Sequence, residues 1–177
     1  MKQSQVVVLL LSVVGLMACS VPNKPQTEEG IDSVFVESDI RFFGQHYPNI
    51  EQNIVSIDLL SKGLAYDSAY HISGSGTNVY MSDIFIPLAD TILPSGVYDI
   101  DTTVLSYTLL PGMPIDRTVT GAYLLRIKEG MIKDTLLFTR GSMTVSQWAD
   151  SVSLDMVFYT QDSSCYHGWY VGSFSYR

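Results

Sequence analysis

The sequence predicts an all-β domain: a single antiparallel β-sandwich of about nine or ten strands, with a calycin-like up-and-down β-barrel as the alternative. Three observations support this class. Apolar and polar residues alternate with a period of two in several segments, and turn signals separate these segments at close spacing. The 11 tyrosines and many Val, Ile and Thr residues also match the composition of β structure.

The alternation is clearest in three segments. Apolar residues occupy every second position from Val55 to Leu59, from Tyr123 to Ile127 and from Val152 to Phe158. Successive side chains of a strand point to opposite faces, so each row predicts a strand with one buried face. After Ile127, Lys128–Met131 predicts a hairpin turn with Gly130 at a positive φ, and Ile132–Thr139 predicts the returning strand.

The remaining elements follow from weaker patterns. Further strands are predicted at Val34–Tyr47, Asn78–Ile86, Gly96–Asp101, Val104–Leu110, Ser142–Gln147 and Trp169–Tyr176. The turn signals between strands lie at Ser73–Gly76, Pro94–Gly96, Pro111–Gly112 and Asp162–Ser164. No segment has a convincing helical period, although Ser38–Gln45 and Leu59–Tyr66 have room for one short helical turn each.

The start of the chain predicts a lipoprotein signal peptide over residues 1–18. Lys2 is followed by an apolar run from Val6 to Leu16, which is shorter than the roughly 20 residues that span a bilayer. Leu16-Met17-Ala18-Cys19 then resembles a lipobox, in which the cysteine becomes the first residue of the mature chain. Only a thiol can form the diacylglyceryl thioether, so Cys19 is the expected lipidation site.

The segment after Cys19 predicts how the domain is held. Residues 19–30 form a lipidated, Pro-containing polar tether, and residues 31–177 form the all-β domain. Ser20 is not the Asp that retains lipoproteins in the inner membrane, so we expect an outer-membrane location. The sequence leaves open whether the domain faces the periplasm or the cell surface.

The charge of the chain excludes one class of partner. All 18 acidic residues follow Cys19, whereas removal of the leader takes Lys2 from the 10 bases. Phosphate contacts require Lys and Arg, so nucleic acid is not an expected partner. By the same reasoning from net charge, the folded domain is not expected to bind anionic headgroups, and its only predicted membrane contact is through the lipid on Cys19.

The residues that could carry chemistry do not form a known catalytic or metal motif. Cys165 and His167 should face the same side of a strand, but a half-buried strand cysteine is the favoured interpretation. Asp99 and Asp101 share a strand face and could bind Ca²⁺, although solvated turn carboxylates are the commoner case. The three histidines are scattered, and we predict no catalytic residue, no cofactor, no metal site and no enzyme activity.

The last strand holds the only constellation that points to a ligand. Aromatic residues crowd its neighbourhood, and an exposed Trp169 beside Tyr166 or Tyr170 would form a stacking platform for sugar rings. The alternative, which we favour at this point, is a core strand with aromatic packing. Trp169, Tyr166 and Tyr170 are therefore the candidate ligand-binding residues.

Several short motifs resemble a set of uncharacterised envelope lipoproteins from Bacteroides-type gut bacteria. After the lipobox, the matching segments are Phe42–Gly44, Asn53–Leu59, Leu93–Tyr98, Arg140–Val145 and Gly168–Phe174. The resemblance implies an all-β fold and a role in the cell envelope, and it transfers no catalytic residue.

Together these observations predict a lipid-anchored, non-enzymatic binding or accessory module whose ligand is a glycan or an envelope protein. The second hypothesis is a structural or adaptor subunit of a surface assembly that uses an exposed sheet edge for strand addition. An envelope hydrolase is the third, and it would require carboxylates with shifted pKa values that converge in a cleft.

Overall fold

The part of the chain that the structure describes contains thirteen β-strands and no helix. The structure is a computed structural model that describes residues 31–148 and 151–174, so the predicted signal peptide, tether and Cys19 lie outside the described residues. The strands are β1 (Ile31–Gly44), β2 (Gln52–Ser61), β3 (Leu64–Tyr66), β4 (Ile72–Gly74), β5 (Gly76–Pro87), β6 (Gly96–Ile100), β7 (Thr108–Leu109), β8 (Met113–Ile115), β9 (Thr118–Thr120), β10 (Ala122–Lys128), β11 (Met131–Trp148), β12 (Ser151–Thr160) and β13 (Cys165–Gly172).

The alternating rows become strands because every second side chain enters the core. On β2, Val55, Ile57 and Leu59 are fully buried against the core, and on β12 the apolar row from Val152 to Phe158 is buried in the same way. The predicted strands at these positions are confirmed.

Nine strands form one sheet whose ends meet. The order is β10-β11-β12-β13-β1-β2-β5-β7-β6, and β10 also pairs with β5 while β11 also pairs with β6. The predicted all-β class is confirmed, and this closure gives a barrel-like arrangement. The sheet is mixed rather than purely antiparallel, because β1 lies parallel to β13 and β6 lies parallel to β7.

Strand β11 replaces two predicted strands, since it runs without interruption from Met131 to Trp148. Its first part pairs with β10 up to Leu137, and its second part pairs with β6 from Ser142. The change of partner coincides with a β-bulge between Phe138 and Arg140 and with Gly141 at a φ of 124°. A bulge bends its strand, which explains how one strand serves two neighbours.

The predictions for several other strands and turns were wrong in part. Of the strand predicted at Val104–Leu110, only Thr108–Leu109 is formed. The short helical turns at Ser38–Gln45 and Leu59–Tyr66 are absent, because these segments belong to β1, to β2 and to the β3–β4 hairpin. Neither that hairpin nor the β8–β9 hairpin was predicted.

Large side chains fill the interior of the closed sheet. Phe138 packs against Phe158 and Tyr166 with ring centroids 5.0 and 5.2 Å apart, and all three side chains are buried. A smaller apolar cluster lies outside the sheet, where Leu64 of the β3–β4 hairpin packs on Leu60 and Ile127.

Pairing also fixes what surrounds the start of β1. Phe35 lies opposite Ser61, Leu60 lies opposite Asn78, and Gly76 lies opposite Ile127. We call this side of the barrel its N-terminal end. It carries the β2–β3, β4–β5, β10–β11 and β12–β13 turns.

Candidate functional site

The last strand separates the three predicted ligand-binding residues. On β13 the side chains of Tyr166 and Tyr170 are 2% and 4% exposed, whereas Trp169 is 40% exposed on the opposite face. Tyr166 contributes to the aromatic core, and the Tyr170 hydroxyl donates to the carbonyl of Ser173 at 2.9 Å. The predicted platform of Trp169 with either tyrosine is therefore wrong, because strand positions an odd number of residues apart face opposite sides.

Trp169 has mainly aliphatic neighbours. Its cross-strand partners are Val34 on β1 and Asp155 on β12, and Val34 is half exposed. Val171, two positions along β13, is 63% exposed. Trp169 therefore lies in a small apolar surface patch with one carboxylate at its border.

The other predicted positions behave as ordinary surface groups. Cys165 is a half-buried free thiol that faces the same side of β13 as the exposed His167, as expected from their spacing. Asp99 and Asp101 are exposed, and the Asp101 carboxylate accepts the backbone N–H of Thr103 at 2.9 Å in a turn. Within residues 31–148 and 151–174, no group of three or more His, Cys, Asp or Glu side chains is arranged to hold a metal ion.

A cleft on the outer face of β1, β2 and β5 was not predicted. Its accessible volume is about 140 Å³, and its lining residues are Phe43, His46, Tyr47, Ile54, Tyr80, Ser82 and Asp83. Aromatic rings make up most of its wall. The centroid of the His46 ring lies 6.0 Å from that of Phe43 and 5.0 Å from that of Tyr47, and the Tyr80 and Tyr123 ring centroids are 5.4 Å apart.

A β-bulge places the polar floor of this cleft. Val55 pairs with Ile84 and Ile57 pairs with Met81, so two residues of β5 lie opposite one residue of β2. Met81 and Ile84 both enter the core, which leaves Ser82 and Asp83 together on the outer face. Bulges commonly re-aim side chains in this way next to functional sites.

Three hydroxyl groups hold the Asp83 carboxylate. Its Oδ1 accepts a hydrogen bond from Tyr47 at 2.9 Å, and its Oδ2 accepts from Ser82 at 2.6 Å and from Thr120 at 3.3 Å. Ser82 is fixed in turn by the backbone N–H of Gly121 at 2.7 Å. Although Asp83 is only 8% exposed, these hydrogen bonds from protein hydroxyl groups therefore stabilise its carboxylate.

Burial of the Tyr47 hydroxyl raises its pKa above the usual value, and its hydrogen bond to the Asp83 carboxylate raises it further. Tyr47 is therefore a neutral donor at physiological pH. It can orient Asp83 but cannot act as a base there.

A second polar network lies beside the cleft. Asp39 of β1 is directly opposite Asp58 of β2, and Asp58 is opposite Tyr80, which also lines the cleft. The Asn78 amide donates to the Asp58 carboxylate and, at 3.1 Å, to the carbonyl of Leu59. The network thus joins three neighbouring strands through buried polar groups.

Electrostatic neighbours of Asp58 act in opposite directions. Burial raises the pKa of Asp58, the nearby Tyr66 hydroxyl and the hydrogen bond from Asn78 lower it, and the nearby Asp39 raises it again. Burial also raises the pKa of Tyr66 well above its usual value, with a further contribution from Asp58. Arg41 forms an ion pair with Asp39 at 3.1 Å, which offsets part of the acidic charge.

A larger cavity lies at the N-terminal end of the barrel. It has an accessible volume of about 410 Å³ between the β10–β11 pair and the β12–β13 turn, with Arg126, Thr160 and Asp162 among its lining residues. The Thr160 hydroxyl and the Ser164 N–H both donate to Asp162, and these bonds lower the pKa of the Asp162 carboxyl. The Asp162 carboxylate thus accepts hydrogen bonds from the turn that carries it, so this polar group of the cavity wall serves to hold the turn.

Comparisons with known protein families, with curated proteins and with solved structures find no match to this chain. Over the described ranges, the structure contains no helix of the length and apolar character needed to cross a membrane.

Proposed function

We propose that this chain is a lipid-anchored envelope lipoprotein of the Bacteroides type, and that its β domain is a non-enzymatic module that binds a saccharide in the Asp83 cleft. The lipobox that ends at Cys19 supports the anchor. The observation that carries the binding function is the buried Asp83 carboxylate, which a β-bulge holds at the floor of an aromatic-walled cleft.

The chemistry of the cleft suits a sugar hydroxyl. A carboxylate offers about four acceptor positions on its two oxygens, and hydroxyl donors within the protein use three at Asp83. The remaining position can accept one hydroxyl of a ligand while Tyr47 or Phe43 covers an apolar ring face. Typical pockets for drug-sized ligands are about 300–1,000 Å³, so a cleft of about 140 Å³ fits a single ring of a longer chain.

A thermal-shift screen of the mature protein against pooled host and plant glycans, with and without Ca²⁺, tests the binding proposal. A ligand present at about 100 times its Kd should add about 2.7 kcal/mol to the free energy of unfolding. Tyr47→Phe removes the hydroxyl that holds Asp83 and should weaken any hit. Tyr107→Phe is the matched control, because both tyrosines are 37% exposed.

The outcomes separate two binding surfaces. Loss of a hit in Trp169→Ala but not in Tyr47→Phe would move the site to the apolar patch on β13 and overturn the cleft assignment. For the anchor, Cys19→Ala should abolish palmitate labelling and membrane retention, and continued labelling of that variant would refute the lipoprotein proposal.

The alternative roles have weaker support. A structural or adaptor subunit that recruits partners by strand addition needs a free edge, whereas each long strand of the main sheet is paired on both sides over part of its length. A blank glycan screen followed by capture of defined envelope partners would favour this role. For a hydrolase, Asp39 and Asp58 are the relevant pair, but neither lines either of the two cavities.

A further inference from the structure

The β10–β11 hairpin presents apolar side chains to solvent at its tip. Met131 and Ile132 are 54% and 60% exposed, and Lys128 and Lys133 flank them in the sequence. Lysine stems and exposed apolar residues in such an arrangement suit the boundary between lipid headgroups and acyl chains. The turn between the strands is tight, since Glu129 and Gly130 adopt φ values of 54° and 72°.

This tip lies at the same end of the barrel as the start of the first strand. The N–H of Gly130 donates to the carbonyl of Gly74 at 2.8 Å, and the N–H of Ser75 donates to the carbonyl of Gly63 at 3.0 Å. The β10–β11, β4–β5 and β2–β3 turns therefore lie side by side. Thr77, just after these turns, contacts Ser33 of β1 through their hydroxyl oxygens at 3.4 Å.

Most of the cationic side chains of the described residues lie at this end. The described residues contain seven Lys and Arg side chains, and four of them are Lys62, Arg126, Lys128 and Lys133. Arg126 is paired with Asp134 at 3.3 Å, and within the described ranges no ion pair joins the three lysines to a carboxylate. Glu129 is the one acidic residue in the turn itself. Asp162 of the β12–β13 turn also lies at this end, so the three lysines exceed Glu129 and Asp162 by one charge, in a chain whose net charge is −8.

The predicted anchor would bring this end close to a membrane. Eleven residues separate Cys19 from Ile31, and a chain of that length reaches at most about 40 Å. We propose that the Met131–Ile132 tip and its flanking lysines dock on the anionic surface of the bilayer that holds the Cys19 lipid. This inference rests on the proposed lipid anchor, and it replaces the expectation from net charge that the folded domain avoids anionic headgroups.

A fluorescence experiment on the lipidated mature chain tests the docking. Mass analysis first establishes the lipid on Cys19. An environment-sensitive nitrobenzoxadiazole probe is then attached to Met131→Cys in a Cys165→Ser background, and the protein is reconstituted into vesicles of phosphatidylcholine alone or of equal parts phosphatidylcholine and phosphatidylglycerol. We expect a blue shift of the emission in the mixed vesicles only.

The β8–β9 hairpin supplies the matched control. Ile115, next to its tip, is 51% exposed, and Arg117 provides a cation there. Strand β10 separates this hairpin from the β10–β11 turn by seven residues, or about 23 Å. A probe at Ile115→Cys should therefore show no shift.

Charge reversal makes the test quantitative. An anionic surface attracts each nearby lysine by roughly 1 kcal/mol, so each of Lys128→Glu and Lys133→Glu should lower the docked-to-undocked ratio by at least about fivefold. Arg117→Glu should leave it unchanged. Hydrogen exchange over residues 126–135 of the unsubstituted chain provides the same comparison without a label.

The two proposals fail in different ways. A lipidated chain whose probe at position 131 responds equally to both vesicle types, or no more than the probe at position 115, would overturn the docking alone. A mature chain without lipid on Cys19 would overturn the anchor, and the docking with it.

Discussion

Gly141 is a position within the main sheet where a single methyl group should disrupt the barrel directly. It lies opposite Phe158 in the β11–β12 ladder, at a φ of 124°. A Cβ built on Gly141 would lie 2.1 Å from the carbonyl oxygen of Val157 and 2.8 Å from the Cα of Phe158. Both contacts are with backbone atoms, so a change of side-chain rotamer cannot relieve them.

The expected cost of Gly141→Ala has two parts. A non-glycine residue at this φ costs about 1–3 kcal/mol, and forcing an extra methyl group into a packed site costs a further 1–3 kcal/mol or so. We therefore expect Gly141→Ala to lower the free energy of unfolding by about 4 kcal/mol. Because β11 changes partner here, the strain should extend to the pairings with both β12 and β6.

Urea unfolding at equilibrium measures this effect, and Gly130→Ala is its control. Gly130 also has a positive φ, of 72°, but the nearest atom to an added Cβ is the carbonyl oxygen of Ile72, 4.0 Å away. Gly130→Ala should thus show only the conformational cost of about 1–2 kcal/mol. Equal losses in the two variants would refute the steric argument.

Three further substitutions test the core and the polar groups. Burial raises the pKa of the Asp58 carboxyl, so this group holds its proton more tightly in the folded protein than in the unfolded chain. The unsubstituted protein should therefore lose stability as the pH rises from about 4 through the raised pKa of the folded state. Asp58→Asn should lack this loss, so the stability difference measured by urea unfolding should grow in its favour over that window and then level off. Phe138→Ala should cost about 4 kcal/mol, because its ring packs between two buried aromatic rings, and thermal unfolding should show it. Asn53→Ala removes the hydrogen bonds from the Asn53 amide to the carbonyls of Leu88 and Asp90, at 3.0 and 2.8 Å, in the loop between β5 and β6. It should lower the free energy of unfolding by about 2 kcal/mol and speed proteolysis of this loop.

Each of these substitutions has a result that would contradict the structure. A constant stability difference between Asp58→Asn and wild type across the acidic range would mean that Asp58 is solvated rather than buried. A loss below about 1 kcal/mol in Phe138→Ala would place that ring at the surface. Unchanged cleavage of the loop in Asn53→Ala would show that the amide does not hold it.

The strands were predictable wherever one face is buried and the other is not. Val152, Leu154 and Met156 of β12 occupy every second position because all three lie on the core face, whereas Asp155 between them is exposed. The continuity of β11 was not predictable, because Gly141 resembles an ordinary turn glycine until its neighbours on β12 and β6 are known. Parallel pairing of β1 with β13 likewise leaves no local signal, since it joins opposite ends of the chain.

Site prediction was limited by the same lack of long-range information. Both faces of β13 carry aromatic residues, so the sequence did not determine that Tyr166 and Tyr170 would be buried and Trp169 exposed. The Asp83 cleft depends on a bulge opposite β2 and on Tyr47, which is 36 positions from Asp83. The one local sign was the pair Ser82-Asp83 within an otherwise apolar segment.

The parallel pairing of the first and last strands has a consequence for how the protein is made. Phe35 cannot meet Tyr170 until nearly the whole domain has been synthesised, and contacts so distant along the chain form slowly. A growing chain that lacks β13 leaves the edges of β1 and β12 open to other strands, which is a route to aggregation. Delayed closure also keeps the chain unfolded for longer, which suits the proposed export, because an exported chain threads through its channel before it folds.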